Sequence, residues 1–153
     1  IKSFFTNKII DETKVELLLN LKTNENFNKL KDEALKGNKA KTNRLLADTP
    51  FSPENNVLYL SLINQRINLL KQIDLMKKET NIEEIIQSLK PPIFWKDRPV
   101  IIEQARKWNN FKIKIAIKKT YEAELQFKSN GNINKEILIK NLIVELCSTA
   151  TAA

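Results

Sequence analysis

The sequence contains no histidine, one cysteine, one methionine and only two glycines among its 153 residues. Each shortage removes a class of chemistry. Without histidine the usual general base of hydrolytic triads is missing, and with Cys147 as the only thiol no common zinc arrangement can be built. A single cysteine also excludes an internal disulfide framework and fits a reducing, cytoplasmic setting. Cys147 lies in an apolar run and reads as a small buried hydrophobe. Gly37 and Gly131 are too far apart to form either common phosphate-cradling loop, so no nucleotide, other cofactor or metal is assigned. No run of about 18 uncharged apolar residues occurs, so no membrane span and no membrane partner are expected. The chain opens on Ile1 with no signal-peptide pattern, and the expectation is a piece of a longer protein.

What is present describes a folded helical protein. Apolar residues make up 42% and charged residues 29%, a balance that supports a real core in a chain of this length. The scarcity of glycine argues against hairpins and for long helices. The expected fold class is all-α, a bundle of about five to eight helices. The formal charge of +8 suggests an acidic partner such as nucleic acid. Against this, the lysines are scattered, acidic residues interleave along every helix, and no aromatic–basic stacking motif occurs. A solvated basic surface is the simpler account, and a stand-alone basic module that binds DNA or RNA is the alternative.

Along the chain, Val15, Leu18, Leu19 and Leu21 recur at helical spacing, with Thr13 and Glu16 placed as a capping box. A second helix carries Phe27, Leu30, Ala34 and Leu35 and ends at Gly37; a weaker third covers 39–47. Ser52 and Pro53 fit the cap and first position of a long helix over 54–76. Apolar residues occupy most of its circumference, so it is expected to be the central helix, buried by neighbours on several sides. Thr80 and Glu83 suggest a capping box for a short helix carrying Ile82, Ile85, Ile86 and Leu89.

The stretch from Lys90 to Trp108 holds three of the five prolines and both tryptophans. Pro91 and Pro92 must end the preceding helix and start a stiff connector. Phe94 and Trp95 are expected to anchor that connector on an apolar surface. Asp97 is the expected cap of the next helix, whose first turn accommodates Pro99 and which places Ile101, Gln104, Ala105 and Trp108 on one face. Pro91, Pro92, Phe94, Trp95 and Trp108 thus form a structural corner.

Residues 112–118 alternate like a strand, whereas Ile117, Tyr121, Glu124, Leu125 and Lys128 follow the helical period. One helix is expected, because an isolated strand would have no pairing partner. After the turn at Ser129 to Asn132, Asn134 caps a last helix bearing Ile137, Leu138, Leu142, Ile143, Leu146 and Cys147. Residues 149–153 are expected to fray.

No catalytic constellation stands out. Carboxylate pairs such as Glu83 with Glu84, or Glu122 with Glu124, read as solvated helix faces, and Glu124 with Lys128 reads as an i,i+4 support. An enzyme that works through carboxylates would require two of them to converge in a pocket.

Three segments together resemble the C-terminal region of the delta subunit of the bacterial DNA polymerase III clamp loader. The first is Leu62-Ile63-Asn64-Gln65-Arg66-Ile67-Asn68-Leu69-Leu70, although Arg66 follows Gln65 directly where that family spaces the two. The second, and most specific, is Leu89-Lys90-Pro91-Pro92-Ile93-Phe94-Trp95-Lys96 with Gln104-Ala105-Arg106-Lys107-Trp108. The third is Glu122-Ala123-Glu124 with Lys128-Ser129 ahead of a final apolar helix. The resemblance implies a helical collar domain over 24–148, with 1–23 the end of a preceding lid domain. It implies a non-catalytic subunit of a DNA-replication complex that partners delta-prime and tau/gamma-type subunits. DNA and the sliding clamp would be met through the whole complex, and ATP hydrolysed by other subunits of the polymerase holoenzyme. A domain with more apolar helical face than one core needs should bury the excess on partners, and Leu138, Leu142, Ile143 and Leu146 are the candidate subunit interface.

Overall fold

The computed structural model describes residues 24–129 and 131–152. The capping box and helix expected before residue 24, and the lid-domain boundary with them, lie outside the described residues. Among the described residues the chain is all-α, with seven α-helices, one short 3-10 turn and no strand.

Helix α1 covers 24–35 and buries Phe27, Leu30, Ala34 and Leu35. It stops at Gly37, whose φ of +78° is the left-handed conformation that glycine adopts without a Cβ penalty. Gly37 N–H donates to Ala34 O at 2.9 Å and Asn38 N–H to Glu33 O at 3.1 Å, the paired bonds of a Schellman ending. Asn38 then caps α2 (Lys39–Asp48) by accepting from Lys41 N at 3.2 Å.

Pro53 opens the 3-10 turn Pro53–Asn55 after Ser52, and α3 (Asn56–Met76) continues it. Tyr59, Ile63, Ile67, Leu70 and Ile73 recur every three or four residues and form its buried stripe. Helices α4, α5, α6 and α7 all pack against α3, as expected of a central helix with neighbours on several sides. Val57, Leu58, Leu75 and Met76 nevertheless face solvent. Near its start, Phe27, Phe51 and Tyr59 form an aromatic cluster, with Phe27 and Tyr59 stacked at 4.3 Å.

Helix α4 (Ile82–Ser88) is capped by Asn81, which accepts from Glu84 N at 2.9 Å and donates to the Glu84 carboxylate. The cap thus falls one residue later than Thr80 and Glu83 suggested, because Asn81 is the extended residue that precedes the helix and its Oδ1 reaches the Glu84 amide. Leu89 is extended and the Lys90–Pro91 peptide bond is cis. Helix α5 (Arg98–Lys107) carries Pro99 in its first turn, and Asp97 precedes it without a side-chain cap bond.

The alternating segment 112–118 is helical, within α6 (Asn110–Ser129). Asn109 Oδ1 accepts from Lys112 N at 2.9 Å and nucleates that helix, whose buried residues Ile113, Ala116, Thr120 and Ala123 keep the helical period. Helix α7 (Lys135–Thr151) is capped by Asn134, which accepts from the amides of Glu136 and Ile137. It does not fray at 149: Thr149 and Ala150 are buried and the helix runs to Thr151. Two contacts hold this end, since Lys112 Nζ donates to Ala150 O at 3.0 Å and Gly37 lies against Thr151.

Candidate functional site

The corner after α4 divides into an inner and an outer part. Trp108 is inner: it is 1% exposed, and its indole N–H donates to Leu35 O at 2.8 Å, which ties the end of α5 to the end of α1. Phe94 and Trp95 are outer, 57% and 65% exposed, so they do not anchor the connector as the sequence suggested. Ile93 and Leu89 take that role, packed on the core. Asp97 N–H donates to Phe94 O at 2.9 Å and Arg98 Nε to Ile93 O at 3.3 Å, closing a turn that throws the two aromatic rings outward. Their centroids are 5.9 Å apart, and the Lys96 ammonium lies 5.5 Å from the Trp95 ring centroid. Pro91 and Pro92 are exposed beside them.

Phe94 also lines an open cleft of about 370 Å³ between the corner, α1 and α3. Leu62, Leu69, Pro91 and Ile93 supply its apolar walls, and Lys31, Arg66, Lys90 and Asp97 its charge, three cations to one carboxylate. Arg66 is held firmly: Nη1 donates to Asp32 Oδ1 at 2.9 Å and to Gln104 Oε1 at 2.8 Å. Gln104 is fully buried and donates in turn to Asp32 O at 3.0 Å, so one glutamine fixes both the arginine and the α1 backbone. Lys31 is 5% exposed and donates to Asn28 Oδ1 at 2.8 Å, with Asp32 Oδ1 at 3.9 Å. Burial, and then the Arg66 charge, lower its pKa from 10.5 to about 8. Nothing in the sequence flagged Lys31, because its burial comes from the packing of the corner and α3 over α1.

The candidate interface on α7 lies elsewhere. Leu142, Ile143 and Leu146 are buried by the chain's own helices and Leu138 is half-buried, so the face assigned to a partner is core. Helices α2, α3 and α6 all pack against α7 and cover its wide apolar face. The exposed apolar side chains of α7 are Ile137 and Val144 instead.

Three of the candidate carboxylates have local partners. Glu83 pairs with Arg106 at 3.2 Å, Glu84 joins the Asn81 cap, and Glu124 accepts from Asn64 at 2.8 Å rather than meeting Lys128. No cluster of three or more potential metal ligands occurs among the described residues. Several lysines are likewise engaged in structure. Lys77 donates to the carbonyls of Ala105 and Trp108 at the end of α5, and Lys119 pairs with Glu145 at 3.3 Å. Cys147 is buried against Thr42, and no described helix is long and apolar enough to cross a membrane. Compared with models of protein families, with curated proteins and with solved structures, the chain matches none.

Proposed function

We propose that the chain is the collar region of a delta-type clamp-loader subunit, and that its work is assembly rather than catalysis. One observation carries this reading: segments of the resemblance that are far apart in sequence meet at one place. Arg66 from the first segment bonds Gln104 from the second at 2.8 Å, and Pro91, Ile93 and Phe94 border the same cleft as Arg66. Residues that recur together in a family are expected to share a structural task, and here the task is fixing the corner against α3.

On this reading the domain holds its subunit in the ring of delta-prime and tau/gamma-type partners, and the complete complex uses ATP hydrolysed elsewhere to open the sliding clamp and place it on DNA. The fold suits that mechanical role, since its buried stripes join all the described helices into one core. The rival reading, a stand-alone basic nucleic-acid module, is disfavoured by the structural engagement of Lys77 and Lys119. The test is co-expression with delta-prime and tau/gamma-type subunits followed by native purification. A stable joint complex is expected; its absence, together with salt-sensitive binding of the isolated chain to duplex DNA, would favour the rival.

A further inference from the structure

Phe94 and Trp95 are adjacent, exposed, and held outward by a hydrogen-bonded turn. Exposed aromatic rings on a fixed turn are the usual anchors of protein interfaces, because they contribute large apolar area while losing little side-chain freedom on binding. Beside them, the cleft contains a second unusual group. The Lys31 ammonium has three N–H donors and, among the described residues, one hydrogen-bond acceptor, Asn28 Oδ1. It is buried at the cleft wall, where water satisfies an ammonium poorly. The surroundings are cationic: Arg66 shares the cleft, and Lys90 and Lys96 stand exposed on the corner. Of the carboxylates there, Asp32 is already engaged by Arg66, and Asp97 lines the cleft opposed by three cations of the same lining, Lys31, Arg66 and Lys90.

We propose that this corner docks a neighbouring protein subunit through an acidic segment, whose apolar side chains cover Phe94 and Trp95 and whose carboxylate enters the cleft against Lys31 and Arg66. Charge complementarity selects an acidic partner, and the apolar side chains lining the cleft beside Phe94 select a protein segment over a nucleic-acid backbone. The proposal rests on the assembly reading above and names the surface that serves it.

The test compares the unaltered chain with the double variant Phe94→Ala/Trp95→Ala and with Lys31→Met, each co-expressed with the delta-prime and tau/gamma-type subunits. The aromatic pair is exposed, so the double variant should unfold at the same temperature as the parent while binding its partners at least about thirtyfold more weakly. Lys31→Met should weaken assembly about tenfold without loss of helix content, and Lys31→Arg should recover part of it. Assembly by the double variant within twofold of the parent would overturn the proposal while leaving the assembly reading intact. Failure of the unaltered chain to assemble would overturn both. Loss, in the double variant, of self-association or of oligonucleotide binding shown by the isolated parent would assign the surface to a second copy or to nucleic acid and would also overturn it.

Discussion

The Trp108 indole donates a hydrogen bond to the Leu35 carbonyl across 73 residues of sequence, at 2.8 Å and fully inside the protein. That bond satisfies a carbonyl at the end of α1, where the helix itself supplies no partner. It also fixes where α5 stops. Trp108→Phe removes the donor and part of the ring volume, and should cost about 2–3 kcal/mol in urea unfolding followed by circular dichroism. Trp95→Ala, which removes an exposed ring, should change stability by less than about 0.5 kcal/mol in the same assay.

Gln104 is the second tie between distant segments. Gln104→Leu keeps the volume but leaves the Asp32 carbonyl and one Arg66 donor without their partner. A loss of about 1–3 kcal/mol is expected, measured by the same unfolding experiment. Arg66→Leu in the Gln104→Leu background should cost less than it does in the parent, since the two side chains act as one network.

At Gly37 the backbone conformation and the space argue in the same direction. A Cβ there would lie 2.7 Å from Thr151 Cγ2, at a φ that side chains rarely adopt. Gly37→Ala should therefore destabilise by about 1–2 kcal/mol, and adding Thr151→Ser should relieve the contact but not the backbone strain, recovering only part of the loss.

The pH dependence of stability follows from Lys31. Its pKa is lower in the folded protein, about 8 against 10.5, mainly through burial. Below about pH 8 both states carry the proton and the full penalty applies; between about 8 and 10.5 the unfolded chain binds more protons, so folding becomes more favourable as pH rises. Lys77 is shifted in the same direction, burial outweighing its partner Asp74. Lys31→Met should stabilise the isolated chain at pH 7 by on the order of 1–3 kcal/mol and flatten the rise between pH 8 and 10.5, measured by denaturant unfolding across that range.

Much of the architecture was legible in the sequence because it depends on local rules. The long helix that ends at Met76, the glycine ending at Gly37 and the cap at Asn134 each follow from spacing or backbone chemistry. The helix over 112–118 was legible only by asking what a lone strand would pair with. The candidate site was less so. Two prolines announce a corner, but which of the following side chains turn inward is decided by the bond from Asp97 to Phe94 O, and that bond left Phe94 and Trp95 outside. Leu142, Ile143 and Leu146 look the same in sequence whether covered by a partner or by the chain's own helices. Lys31 was invisible for the same reason, since nothing local to α1 buries it.

Size-exclusion chromatography with light scattering, after co-expression with delta-prime and tau/gamma-type subunits, distinguishes an assembly domain from a free-standing one. As an assembly domain, the chain elutes within one complex of defined stoichiometry, well above its own 17.7 kDa. Elution of the chain alone at that mass, with the other subunits assembled without it, would show that the domain does not serve assembly.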